Sequence, residues 1–331
     1  GVAISNAGTA SAVIKFVAEL RGSERDELIA PTVAYLRKAQ HWFMLAVIVA
    51  VGLLLLLSGQ HIATGFDHWM IFGFLAIAIG LRSQYMFNVG IAKGFEDFRV
   101  TAIVAGIATP INLAMVVLAW ILDAEVEALL AVFLISGVIF YAISQRLTSR
   151  LIQPATTQVQ LPEDFQRRVK RHMRLVAITV TIGFFAASEV EVFFLNAFGD
   201  AEGAGHFKVA YLLASGAVML VPGVIGSLLL PMMANALSKG RDVAGRRFVA
   251  STTYLTLLAA PLVAFGAVYS EPIISFMYGS AYATAASVFA ACMFACALST
   301  VSQSGSSLLI SADKQLTILL LVILCGVIKV T

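Results

Sequence analysis

The chain has 331 residues, of which 60% are hydrophobic and 12% charged, and its formal net charge is +3. A soluble domain carries about 25% charged residues, so this composition argues against a water-soluble fold. The small net charge gives no footing for nucleic acid, because the positive residues sit in short stretches between apolar runs. The three cysteines, Cys292, Cys296 and Cys325, all lie inside apolar runs and read as small membrane-helix residues rather than disulfide or metal ligands.

Apolar runs of ~18 or more residues read as membrane-spanning helices, since a helix rises ~1.5 Å per residue and the hydrocarbon core is ~30 Å thick. In chain order they cover 2–20, 41–58, 69–92, 100–122 and 128–145, then 175–198, 209–232, 248–270, 284–311 and 316–331. The expected fold class is therefore an all-α integral membrane protein with about ten transmembrane helices. Between the fifth and sixth runs lies the connector 146–174, with seven Lys or Arg against two acids. It divides an N-terminal lobe, 1–145, from a C-terminal lobe, 175–331.

The loops alternate in charge. Segments 21–40, 93–99, 146–174, 233–247 and 312–315 hold 18 of the 22 basic residues. Segments 59–68, 123–127, 199–207 and 271–283 hold acids instead, among them Asp67, Asp123, Glu125, Glu127, Asp200, Glu202 and Glu271. The positive-inside rule makes the basic set, the connector included, cytoplasmic and the other set external. The chain opens at Gly1 in mid-pattern and stops inside an apolar run, so it reads as the central piece of a longer protein. One further helix upstream would place the connector after helix six, giving two six-helix lobes of like orientation. A short echo supports the repeat: Ala18-Glu-Leu-Arg21-Gly22 recurs as Ala236-Leu-Ser-Lys239-Gly240.

Charges inside the hydrocarbon cost at least ~2.5–3.5 kcal/mol each and are the first functional candidates. Arg82, in GLRSQYMFNVG, lies ten or more residues from either end of its run, roughly 15 Å from either interface and too deep to snorkel. It must face water or protein, with Ser83, Gln84 and Asn88 as nearby polarity; it is either an anion-binding residue in a central cavity or one half of a buried ion pair. Lys15 sits near the cytoplasmic end of the first run and either lines the cavity or snorkels. Glu189 and Glu191 are two positions apart, about 200° on a helix, so they cannot form a paired-carboxylate site. One of them is expected to serve as a coupling group or as a counter-charge to Arg82.

The serine-rich run 298–311 points to close helix packing, with cavity lining as the lesser reading. Pro110, Pro222 and Pro261 are expected to bend their helices. The histidines, at 41, 61, 68, 172 and 206, read as solvated or interfacial. No nucleotide loop, HExxH or Cys/His cluster is present, so no cofactor or metal is implied and no enzyme activity is expected.

Three stretches carry a family likeness. SNAGTASAVIKFVAELRGSERDEL resembles the second helix and cytoplasmic loop of polysaccharide (O-antigen-type) repeat-unit flippases of the multidrug/oligosaccharidyl-lipid/polysaccharide (MOP) exporter superfamily. FFLNAFGDAEGAGHFKVAYLLAS resembles that family's external turn between helices seven and eight. EPIISFMYGSAYATA, 271–285, resembles its segment before helix ten. The resemblance implies a MATE-like fold of two six-helix lobes around a central cavity. It also implies a job: moving an undecaprenyl-diphosphate-linked oligosaccharide from the cytoplasmic to the external leaflet of the bacterial inner membrane. The implied partners are that lipid-linked oligosaccharide, membrane lipids and H+ or Na+ as coupling ion. By the same resemblance Lys15 and Arg82 carry over as substrate-binding cavity charges, and Glu191 as the helix-seven acid. A multidrug and toxin extrusion antiporter or a lipid II flippase of the same superfamily is the alternative. A membrane-embedded transferase is the rival from another class.

Overall fold

The computed structural model describes residues 2–57, 68–152, 160–185, 188–220 and 222–330. Among them the chain is helical and has no strand. The helices are α1 (Val2–Gly22), α2 (Ile29–Leu57), α3 (His68–Gly94), α4 (Phe98–Ile121), α5 (Val126–Thr148), α6 (Glu163–Phe185), α7 (Ser188–Ala197), α8 (Ala201–Leu220), α9 (Pro222–Lys239), α10 (Arg241–Val268), α11 (Ser270–Tyr278), α12 (Ala286–Ser311) and α13 (Gln315–Val330). Six helical stretches among the described residues are long and apolar enough to cross a membrane. The chain is thus an all-α membrane protein. It divides into two compact units, Gly1–Val180 and Thr181–Thr331.

The helix count differs from the expected ten for three physical reasons. The expected span 175–198 is built from α6 and α7, and 209–232 from α8 and α9. The segment 271–283, expected to be a loop, carries α11. The segment 21–40 is also mostly helix, because α2 begins at Ile29. Leu28, Ile29, Thr32, Val33, Leu36 and Gln40 are buried at helical spacing, so its first turns are amphipathic before the helix becomes apolar all round. The segment 58–67, with Asp67, lies outside the described residues, as does 153–159 of the connector.

In the first unit α1 packs against α2 and α3, while α3 and α4 pack on α5. Gly90 and Gly94, one turn apart on α3, let α1 approach closely. A Cβ on Gly94 would stand 2.8 Å from Cβ of Val17, and one on Gly90 2.8 Å from Cγ1 of Val13. The second half of the connector is not a loop. It forms the start of α6, whose Phe165, Val169, His172 and Met173 are buried at i, i+4, i+7 and i+8 against α1. Arg167, Lys170, Arg171 and Arg174 remain on the exposed side. His172, expected to be solvated, is 1% exposed; its Nε2 lies 3.2 Å from Ser11 Oγ and its ring meets Phe16 edge-on.

A two-pronged ion pair closes the α1–α6 seam, with Arg168 donating to Glu19 Oε1 at 2.9 Å and Oε2 at 3.0 Å. Both side chains are partly solvated, so the pair contributes about 0.5–1 kcal/mol. Arg168→Glu should lower the thermal midpoint slightly, and adding Glu19→Arg should restore it. A double variant no better than the single one would remove the pair from the account.

In the second unit α12 is central, packed on α8, α9 and α10. Its Ser304 hydroxyl lies 2.7 Å from that of Thr252 on α10, and Thr300, Ser304, Ser307 and Ser311 are buried. The serine run therefore serves helix packing. Asp200 starts α8 by accepting from the Gly203 N–H at 2.7 Å.

The outward faces are apolar. Leu53, Leu54, Leu56 and Leu57 of α2, and Leu113 and Trp120 of α4, are each more than half exposed, as lipid-facing positions should be. All three tryptophans are exposed and near membrane-interface levels. Trp69 and Trp120 mark the end with acidic loops, and Trp42 marks the end with basic loops.

Candidate functional site

Arg82 stands 14 residues after His68 and 12 before Gly94 on α3, hence ~21 Å and ~18 Å from the helix ends. It is exposed and lines a cavity of about 180 Å³ between α3, α4 and α5. The cavity holds room for several waters, each needing ~30 Å³ of liquid volume. The guanidinium lies over the Tyr85 ring, 5.2 Å from its centroid, and Tyr85 in turn meets Phe140 edge-on at 5.2 Å. Asn112 of α4 and Ser136 of α5 face the same space, with Ser136 Oγ donating to Asn112 Oδ1 at 2.6 Å. Among the described residues no carboxylate pairs with Arg82. Arg82 thus lines a polar cavity within the first unit.

The polar residues beside Arg82 in sequence are not its neighbours in space. A helix turns ~100° per residue, so Ser83, Gln84 and Asn88 leave on other faces, whereas Tyr85 at i+3 stays. Asn88 donates to Ser144 of α5 at 3.2 Å. Ser83 joins a fully buried network that ties α1, α2 and α3 together. Gln40 Nε2 donates to Asn6 Oδ1 at 2.5 Å and to Ser83 Oγ, Thr9 Oγ1 donates to Gln40 Oε1, and Ser83 Oγ donates to Asn6 Oδ1 at 3.2 Å. Because Ser83 is pinned on one side of α3, Arg82 is turned to the other. Asn112 and Ser136 lie scattered in apolar runs and Gln40 in the basic segment 21–40, and nothing local in the sequence links them to Arg82.

Lys15 is 0% exposed, with its Nζ 5.0 Å from the Phe16 ring centroid. The ammonium is enclosed within the first unit and reaches no surface. Lys15 stands two positions, about 200°, from Val13 and Val17, so it leaves α1 away from Gly90 and Gly94 and shares the stripe of Ser11 and Glu19 that meets α6. Glu191 is half-buried on α7. Glu189 stands on α7, with its side chain outside the described part of the structure. Arg82 and Glu191 belong to different units.

In the second unit two of the family-like stretches meet. His206 of α8 packs edge-on to Tyr282 at 5.5 Å and lies 3.4 Å from the Thr284 hydroxyl. Gly279, at φ +87°, makes the turn between Tyr278 and Tyr282 that a side chain would strain.

The fold has solved counterparts. An aspartate-to-asparagine mutant of the Vibrio cholerae MATE transporter VcmN superposes with a TM-score of 0.78 at 11% identity, over 98% of this chain and 75% of that one. An outward-facing multidrug resistance MATE family transporter of the MOP superfamily gives 0.75 at 13% identity, over 98% and 74%. VcmN in its bent form gives 0.75 at 10%, over 97% and 75%. The architecture is therefore of the MATE type. No curated protein sequence matches the chain. The family model described as polysaccharide biosynthesis protein matches residues 32–287, well over half of the sequence, and by that match the chain belongs to the polysaccharide biosynthesis protein family.

Proposed function

We propose that the chain is a transporter that carries an undecaprenyl-diphosphate-linked oligosaccharide from the cytoplasmic to the external leaflet of a bacterial inner membrane, by alternating access. The family match over residues 32–287 carries the reading, and the MATE-type fold supports it. Arg82 adds chemistry: a cation in a polar cavity within the helix bundle suits a phosphate-bearing head group crossing ~30 Å of hydrocarbon, while the polyprenyl tail stays in lipid. In this reading the basic loops face the cytoplasm, no covalent chemistry is performed, and Glu191 or Glu189 couples transport to H+ or Na+. Protonation or cation binding there would bias one opening over the other.

The test deletes the gene encoding the chain and follows lipid-linked oligosaccharide on each leaflet. Accumulation on the cytoplasmic leaflet is expected, cured by wild type. Arg82→Ala, at equal membrane abundance, should transport about ten-fold more slowly, equivalent to ~1.4 kcal/mol of lost anion contact. The MATE fold equally accommodates a cation antiporter. Absence of accumulation, together with new sensitivity to cationic drugs, would replace the flippase reading with that one.

A further inference from the structure

A second and larger cavity, about 540 Å³, opens between α2, α3 and α5. Its residues fall on matching stripes: Arg37, His41 and Met44 of α2, Ile77, Gly80 and Gln84 of α3, Tyr141 and Gln145 of α5. The stripes run in a consistent order. Toward the basic-loop end lie Arg37 and Gln145, with His41, Gln84 and Tyr141 just beyond; toward the membrane middle lie Met44, Ile77 and Gly80. One end of the groove is therefore rich in donors and cationic, and the other is apolar.

Arg37 is poised for an anion. Its side chain is half-buried, and its guanidinium stands over the Phe87 ring at 5.8 Å. Its Nε is buried without a hydrogen-bond partner among the described residues. No carboxylate lines the groove. Lys38 and Arg146, both exposed or at the rim, extend the positive field. Trp42, 64% exposed and next to His41, sets the level: this is the interfacial layer where lipid phosphates lie.

We propose that this groove binds an anionic phospholipid of the leaflet at the basic-loop end. The phosphate would be held by the Arg37 fork with His41, Tyr141 and Gln145 as further donors, and the first part of an acyl chain would lie along Met44 and Ile77. A planar guanidinium suits a phosphate oxygen pair, and the polarity gradient of the groove matches that of a lipid from head to tail. Leu81 is the wall between this groove and the Arg82 cavity, lining both, and the proposal does not depend on what the protein transports.

The full chain would be purified and placed in nanodiscs containing equal parts phosphatidylglycerol and phosphatidylcholine, and the lipids retained on release would be counted by native mass spectrometry. Wild type and Arg82→Gln should both retain phosphatidylglycerol preferentially. Arg37→Gln should lower that preference about ten-fold, and Tyr141→Phe or Gln145→Leu several-fold, so the test survives if Arg37→Gln misfolds. Inorganic phosphate at millimolar concentration should not displace the lipid. Equal retention by wild type and all three groove variants would overturn the proposal. So would displacement by free phosphate, which would mark a simple anion site, or by a polyprenyl diphosphate at stoichiometric concentration, which would make the groove a substrate site.

Discussion

Gly8→Val is expected to lower the thermal midpoint of the purified protein by roughly 2–10 °C, while Gly106→Ala leaves it unchanged or raises it. At Gly8, α1 lies against the backbone of α6. A Cβ there would come within 2.5 Å of the Met173 carbonyl oxygen and 3.2 Å of its carbon. Backbone cannot swing aside as a long side chain can, so valine must push the two helices apart, at a cost of about 1–3 kcal/mol. The damage would spread along one face of α1. Gly8, Ser11, Phe16 and Glu19 lie on one face of α1 and meet Met173, His172, Phe165 and Arg168 of α6. Gly106, by contrast, has nothing within 4 Å of its Cβ position. There, alanine only relieves the entropic cost of a helical glycine, worth about 0.5–1 kcal/mol. Differential scanning fluorimetry in detergent reads both. Equal midpoints for the two variants would show that the α1–α6 contact does not hold the first unit together.

The Gly8 seam also shows where the sequence was legible and where it was not. Runs that are apolar on every side were read well: 100–122, 128–145 and 284–311 fall within a few residues of α4, α5 and α12. A hydropathy average succeeds there because the whole circumference faces lipid or other helices. It fails for α2 and α6, whose first turns bury one face and solvate the other. Arg37, Lys38, Arg167 and Arg171 lower the average enough to look like loop, although Leu36, Val169 and Met173 are fully or nearly buried beside them. Arg82 stood out in the sequence because a charge deep in an apolar run is conspicuous by itself. Its cavity partners did not, since Asn112 and Ser136 reach it from two other helices and Ser83 beside it faces away. Lys15 shows the same limit: depth along a helix is readable from sequence, but whether another helix closes over the side chain depends on α6, far along the chain.

Gln40→Leu should destabilise the first unit by about 3 kcal/mol or more, and it should also impair transport through Arg82. Gln40 is 0% exposed and uses both ends of its amide, accepting from Thr9 and donating to Asn6 and Ser83. Leucine fills a similar volume but leaves Thr9 and Ser83 each short of a partner, at about 1–3 kcal/mol per buried group. The network is buried between three helices, where no water can step in cheaply, which keeps those penalties near full size. The second effect is geometric. Ser83 fixes the rotation of α3 that turns Arg82 toward Tyr85 and Asn112, so its release lets Arg82 drift from the cavity. Adding Ser83→Ala and Thr9→Val to Gln40→Leu removes the two orphaned hydroxyls and should recover part of the stability, since Asn6 Oδ1 still lacks the donors it had in Gln40 and Ser83. It should not recover the transport, because the tether that orients α3 is still missing. Thermal midpoint and leaflet-resolved transport, measured on the single and triple variants, separate the two effects. Full recovery of both would mean the network is packing alone, and no loss in the single variant would mean Gln40 is not its hub.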